Sequence, residues 1–352
     1  MTKQRILTGD TPTGKLHLGH WVGSLENRVK LQDEYDCYFI IANMHAFTTR
    51  MDKPEDIRQS VLDIVLDYLS AGIDPQKSTI FIQSEIPAIA DLTFLFSMLL
   101  PFPRVMRNPT IKSEIRDKNL GDNYPFGFLL YPVGQVADIL TFQANLVPVG
   151  EDQIPHLEMS REVARKFNQL YCGVSSHTED KDYIKAGGLF PVIEPLIGDT
   201  PRLVGTGAPD KEGHFLKMSK SLNNAILLSD DEDTIRKKVM GMYTDPNRLR
   251  PTDKGKVEGN PLWIFHNIFN PDKAWVKETE DRYRNGGVGD VECKKKLIDV
   301  LIELTKPMRE RRAIYENDPE QILKIIREGN AKANAVAEQT LKLVKEKIKQ
   351  DY

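Results

Sequence analysis

Two short segments, far apart in the chain, carry residue types suited to phosphate chemistry. The first, Thr11-Pro12-Thr13-Gly14-Lys15-Leu16-His17-Leu18-Gly19-His20, follows an apolar run near the N-terminus. His17 and His20 are three residues apart, so both face one side of a first helical turn. The unpaired N–H groups and positive dipole end of such a turn favour anions. Two imidazoles there can donate to phosphate oxygens as charge builds up, and Gly19 between them leaves room for a flat ring. The second segment, Lys217-Met218-Ser219-Lys220-Ser221, sets two ammonium groups and two hydroxyls in one loop. Lys217 and Lys220 could close over a triphosphate and neutralise charge on its leaving group. Taken singly, a capped helix with surface histidines and a solvated basic turn are the ordinary alternatives. A Walker-type loop is excluded, because no Gly-x-x-x-x-Gly-Lys-Ser/Thr run occurs.

The surrounding sequence supplies elements that can hold these segments. Ile6-Leu7-Thr8-Gly9 reads as a buried strand stopped by glycine. Beyond it, Leu18, Val22 and Leu25 recur at helical spacing. Cys37 to Ala42 and Thr79 to Ile82 read as two more buried strands. Between them Pro54 opens a helix that Gly72 ends. Strand alternating with helix predicts an α/β fold with a parallel sheet. Asn145 to Gly150 reads as a later strand of that sheet, although Pro148 is unusual in one. Glycines and prolines from Gly187 to Gly207 predict an irregular connector. Ser229-Asp230-Asp231-Glu232 reads as a capping box opening a helix. Cys293 to Thr305, Pro319 to Gly329 and Lys332 to Ile348 read as three further helices. The expected organisation is a catalytic domain over residues 1–200, a connector with the lysine loop over 201–228, and a helical domain over 229–352.

Composition narrows the class. A length of 352 residues suits two domains, and 40% hydrophobic content gives a sizeable core. The net charge of −3 means that any nucleic-acid partner must meet a local basic face. No run approaches the roughly 18 apolar residues of a membrane span. Met1 to Arg5 lead into the first strand without an apolar signal core. Cys37, Cys172 and Cys293 are far apart and form neither a metal-ligand spacing nor a disulfide framework. A cytoplasmic protein with no metal site of its own is expected.

His17-Leu18-Gly19-His20 and Lys217-Met218-Ser219-Lys220-Ser221 together resemble the two signatures of class I aminoacyl-tRNA synthetases. Tyr131 to Leu140 and Pro148 to Gln153 further resemble the bacterial tryptophanyl branch, in a divergent subgroup, and the resemblance covers nearly the whole chain. It implies a Rossmann-like catalytic domain followed by a helical anticodon-binding domain. The implied reaction is ATP-dependent attachment of L-tryptophan to tRNA(Trp) through a tryptophanyl-adenylate, with Mg²⁺ carried by ATP. His17, His20, Lys217 and Lys220 would be catalytic. Thr11, Pro12, Thr13, Gly19, Gly150, Glu151, Asp152, Leu203, Met218, Ser219 and Ser221 would join His20 and the lysines around ATP. Asp138 would accept the indole N–H, with Tyr131, Gln153, Gln135 and Leu7 completing the tryptophan site. An indole offers one donor and no acceptor, which suits a buried carboxylate; a cap is the ordinary alternative for Asp138.

The resemblance also implies a homodimer bridged by tRNA. Arg236-Lys237-Lys238, Arg248-Leu249-Arg250 and Arg309, Arg311 and Arg312 are candidate tRNA contacts, with solvated helix faces as the alternative. Pro103, Arg104 and Arg107 are candidates for the acceptor arm or a second subunit. A tyrosyl enzyme, which would want a Tyr where Leu7 stands, and a catalytically silent relative are the remaining readings.

Overall fold

The computed structural model describes residues 3–117, 121, 123–149, 154–197 and 203–352. Among the described residues five strands, β1 (Arg5–Asp10), β2 (Asp36–Ile41), β3 (Ser78–Ile82), β4 (Leu146–Val149) and β5 (Glu194–Ile197), form one sheet. Their order is β3-β2-β1-β4-β5, and every pairing is parallel. The order reverses direction between β1 and β4, which is where an open α/β sheet leaves a ligand crevice at the carboxyl ends of its strands. The crevice opens because β1 and β4 part early: their register holds only Ile6 opposite Leu146. Pro148 therefore sits beyond the β1–β4 ladder, where its missing N–H leaves no bond unmade on that side.

The helices are α1 (Leu18–His20), α2 (Glu26–Leu31), α3 (Asn43–Arg50), α4 (Pro54–Ala71), α5 (Pro87–Ser97), α6 (Phe102–Met106), α7 (Pro109–Asp117), α8 (Phe126–Thr141), α9 (Ile154–Cys172), α10 (Glu232–Met240), α11 (Pro261–Phe269), α12 (Lys273–Asn285), α13 (Asp290–Glu316) and α14 (Pro319–Ile348). A π-helical turn, Trp21–Leu25, joins α1 to α2. One apolar cluster covers one side of the sheet. It unites Ile6, Phe39 and Ile64 with Leu297, Leu301 and Ile325 from α13 and α14. A second covers the other side with side chains of α5, α8, α9 and α14. The helical half thus packs directly on the sheet.

α4 begins at Pro54 and stops at Ala71, before Gly72, as its sequence predicts; the φ of 112° at that cap needs a glycine. Other sequence expectations shift. β5 lies in the stretch expected to be irregular: it is short, contains Pro195, and is defined only by pairing with β4. Asp231, not Ser229, caps α10, accepting the Thr234 N–H. The two helices expected after Pro319 are one, α14. Gly329 does not end it; the glycine lets the helix backbone meet β3, since a side chain there would collide with the Ile80 carbonyl.

Candidate active site

A cleft of about 1180 Å³ lies at the carboxyl ends of the strands. Leu7, Thr11, Thr13, Tyr131, Gln135, Asp138, Ser219, Lys220 and Ser221, all singled out from sequence, line it together. Gly150, Glu151, Asp152 and Gln153 lie outside the described residues.

The signature turn is built by its own side chains. His17 caps α1: its Nδ1 accepts the Gly19 N–H at 3.1 Å, and its own N–H donates to His20 Nδ1 at 3.1 Å. Both Nδ1 atoms are therefore acceptors, and in a neutral imidazole the proton then resides on Nε2. The two ring centroids lie 3.8 Å apart with their planes tilted by 43°. Burial, then the neighbouring His20 and the lysines Lys220 and Lys217, lower His17 to about 3. Burial likewise lowers His20 to about 4, although the Asp10 carboxylate pulls the other way. Two neutral Nε2–H donors result at neutral pH. The space beside Gly19 is taken by the His17 ring, which a Cβ at residue 19 would meet at 2.9 Å. The glycine accommodates this cap and not, in this structure, an open platform for a ring.

The lysine loop is tethered to the same turn. Met218 and Leu203 are buried in the core, and the Met218 N–H donates to the Leu203 carbonyl at 3.2 Å. Met218 thus anchors the loop while Lys217 stays exposed. Ser219 N–H donates to Asn224 Oδ1 at 2.7 Å, and the Ser219 and Ser221 hydroxyls are 2.9 Å apart. Lys220 Nζ crosses to the Lys15 carbonyl at 2.9 Å. Burial draws its ammonium below the ordinary value, a pull that Asp67 opposes and Arg50 reinforces. Behind the loop, Leu18 N–H donates to Ile226 O (2.9 Å) and Leu228 N–H to Leu16 O (3.0 Å), so a short antiparallel bridge ties the histidine signature to the segment that follows the lysine loop.

Asp138 sits inside α8 and is only 3% exposed, so it is no cap. The Gln83 amide oxygen accepts the Met44 N–H at 3.1 Å, which turns its NH₂ toward Asp138. That NH₂ donates to both carboxylate oxygens, at 2.8 and 3.0 Å. His45 Nε2 stands 3.6 Å from Asp138 Oδ2. Burial raises the Asp138 carboxyl to about 7, against the opposing Gln83 bond. Tyr131 donates to Glu114 at 3.3 Å.

Sequence reading missed several cleft residues. Asp10 ends β1 and accepts from Arg28 Nη1 (2.7 Å) and Tyr68 OH (2.6 Å), while Arg28 also meets the Tyr68 oxygen (2.7 Å) and the Gly9 carbonyl (3.2 Å). Burial would raise Asp10, but Arg28, His20 and these bonds carry it below the usual carboxylate range. Asp10 directly follows Gly9, and His45 lies just past β2. The rule that ligand groups gather at strand carboxyl ends would have found both.

Of the candidate tRNA-facing cations, several turn inward. Arg248 is buried, paired with Asp290 and the Val288 carbonyl, and lies over the Tyr283 ring. Arg312 pairs with Asp67, and Arg311 donates to the Ser70 carbonyl at 2.7 Å. Arg309 reaches Glu232 at 3.1 Å and Arg104 forks onto Glu162. Arg236, Lys237 and Arg250 remain exposed.

Ser219, Lys220 and Ser221 of the lysine signature line this crevice, while His17, His20 and Lys217 are not among its lining residues; the histidine turn adjoins it through the Lys220 bond to the Lys15 carbonyl. The arrangement is that of an adenylate-forming class I enzyme, and residues 1–306 match the family described as tRNA synthetases class I (W and Y). The chain belongs to that family. It is 46% identical over 356 aligned residues to a tryptophan–tRNA ligase of Lactococcus lactis, covering 100% of this chain and 99% of that protein. It is equally 46% identical to one from Clostridium longisporum, covering 100% and 98%. Among solved structures, a tryptophanyl-tRNA synthetase of Campylobacter jejuni complexed with ADP and tryptophan superposes with a TM-score of 0.81 at 30% identity. That alignment covers 98% of this chain and 100% of that one. Among the described residues no helix is long and apolar enough to cross a membrane.

Proposed function

We propose that this chain activates L-tryptophan with ATP and transfers it to tRNA(Trp). The observation that carries the reading is one cleft lined both by Asp138 and by Ser219, Lys220 and Ser221 of the lysine loop. The full-length similarity to tryptophan–tRNA ligases supports it. In the reaction a carboxylate oxygen of tryptophan bonds to the α-phosphorus. The bond from that phosphorus to the oxygen bridging to the β-phosphate breaks, and pyrophosphate leaves with the electron pair. The carboxylate is already ionised near neutral pH, so no strong base is needed. What the protein must supply is alignment and charge stabilisation.

In this reading Asp138 accepts the indole N–H, oriented by Gln83, with His45, Tyr131, Gln135 and Leu7 around the substrate. Thr11, Thr13 and the signature turn receive the nucleotide. The neutral Nε2–H groups of His17 and His20 stabilise the phosphate oxygens, and Lys217 and Lys220 neutralise the departing pyrophosphate. Mg²⁺ travels on the phosphate oxygens, as its preference for hard ligands allows. Residues 229–352 serve the anticodon, with Arg236, Lys237 and Arg250 as exposed cations. A homodimer in the cytosol completes the reading; Phe94, Met98 and Phe102, each about two-thirds exposed on adjoining turns of α5 and α6, support a second copy there.

The test is ATP–pyrophosphate exchange with each amino acid supplied in turn. Exchange driven by tryptophan alone is expected. Exchange driven by tyrosine would remove Asp138 from its role, and none at all would leave a silent relative.

A further inference from the structure

α3 lines the cleft along most of its length, from His45 to Arg50. His45, near its start, approaches Asp138 at 3.6 Å. Arg50, its last residue, lines the same cleft as Lys220, Ser219, Ser221 and Thr13. Arg50 lies five positions beyond His45, roughly 7–8 Å along the helix axis.

Arg50 differs from the other guanidinium groups near the cleft. Every guanidinium nitrogen of Arg28 has an acceptor, among Asp10, Tyr68, Ser24 and Gly9. Arg50 Nη1, in contrast, is shielded from solvent and meets no acceptor among the described residues. A buried donor left unpaired costs free energy, and more so on a charged group. Arg50 also stands close enough to Lys220 to bear on its charge. Two cations facing one cavity repel until an anion enters between them, and a guanidinium fork matches phosphate oxygens in pairs.

We propose that Arg50 is a further phosphate ligand of this active site, binding the β- and γ-phosphates of ATP and stabilising the departing pyrophosphate together with Lys217 and Lys220. The proposal rests on the reading of this cleft as the ATP site. Arg50 reaches the phosphates from the end of α3, whereas the two lysines come from the loop. The pyrophosphate is therefore held between a helix and a loop. As bond cleavage places extra charge on the β-phosphate, the rigid guanidinium needs no movement to meet it.

The test uses full-length Arg50→Met and Arg50→Lys proteins, checked for folding by thermal melting. Tryptophan-dependent exchange gives kcat and KM for ATP, and inhibition gives the affinities of inorganic pyrophosphate and AMP. Arg50→Met should lose about tenfold to a hundredfold in kcat/KM for ATP, as expected for a charged hydrogen bond. It should lose pyrophosphate affinity as well, while AMP affinity and the tryptophan KM stay unchanged. Arg50→Lys, which keeps the charge and the fold, should recover part of both losses. Unchanged pyrophosphate affinity, or an equal loss for AMP and tryptophan, would overturn the assignment. Should Arg50→Met not fold, Arg50→Lys decides alone, since loss of the fork should still weaken pyrophosphate more than AMP. Absence of exchange in the parent protein would instead remove the ATP reading itself.

Discussion

Asp67 on α4 and Arg312 on α13, 245 positions apart, form a buried ion pair with Nη1 2.6 Å from Oδ1. The other oxygen of Asp67 accepts the Leu16 N–H, also at 2.6 Å. Leu16 immediately precedes the cap His17, so one carboxylate ties the helical half of the chain to the start of the signature turn. Glu316 takes the Nε of the same guanidinium at 2.7 Å.

Removing Arg312 should therefore do more than loosen a surface contact. Arg312→Met leaves Asp67 buried without its counter-charge, a loss of about 3–5 kcal/mol in stability. Urea unfolding measures it. A loss below roughly 1 kcal/mol would mean that the pair is solvated in solution.

The signature histidines should be neutral throughout the physiological range. Their carbon and nitrogen NMR shifts should titrate near 3 for His17 and near 4 for His20, far below the ordinary 6.5. Both folded values are lowered, so the unfolded chain binds these protons first. The associated stability is full above pH 6.5 and is lost as pH falls toward those values. Replacing both residues by Gln should flatten that acid slope in the urea midpoint.

The same imidazoles should matter for rate and not for tryptophan binding. His17→Asn keeps a capping side chain but lacks the Nε2–H. It should slow adenylate formation by about 10²–10³-fold, the range for one oxyanion donor, while tryptophan affinity barely changes. Equal losses in both would assign His17 to structure alone.

Asp138 gives tryptophan binding a pH dependence near neutrality. Its carboxyl is raised to about 7, and only the ionised form is a pure acceptor for the indole N–H. Calorimetric affinity for tryptophan should rise as pH increases through that value and then level off. Stability should move oppositely. The folded value exceeds the unfolded 3.8, so the contribution is complete below 3.8 and is lost as pH rises through about 7. Asp138→Asn should remove both trends; an unaltered pH profile of binding would place the indole elsewhere.

The Asp10–Arg28–Tyr68 cluster offers a graded test. Tyr68→Phe removes one buried hydroxyl and should cost about 1 kcal/mol, because Arg28 still holds Asp10. Arg28→Met strands the carboxylate and should cost about 3–5 kcal/mol. Comparable costs from thermal or urea unfolding would mean that the tyrosine carries the cluster.

Local signals revealed the sheet's first three strands, the long helix from Pro54, and both signatures, because each is written in adjacent residues. Asp138 was legible through its flanking motif, but its orientation by Gln83 was not, since 55 positions separate them. Arg248, Arg309, Arg311 and Arg312 read as tRNA contacts or solvated helix faces because composition cannot tell a guanidinium facing outward from one facing Asp67 or Asp290. Gly329 looked like a helix end because its use is tertiary: it permits a close approach to a strand about 250 positions upstream.

That approach has a consequence for how the chain is made. β3 is an edge strand, and its outward Ile82 N–H is satisfied by Asn330 Oδ1 at 2.9 Å. On the ribosome β3 emerges long before α14. The nascent sheet thus carries an open hydrogen-bonding edge through most of translation, and such an edge can recruit another chain. α14 closes it only when residues near 330 are released. Docking of α14 is therefore the step at which an edge open to pairing with another chain is closed.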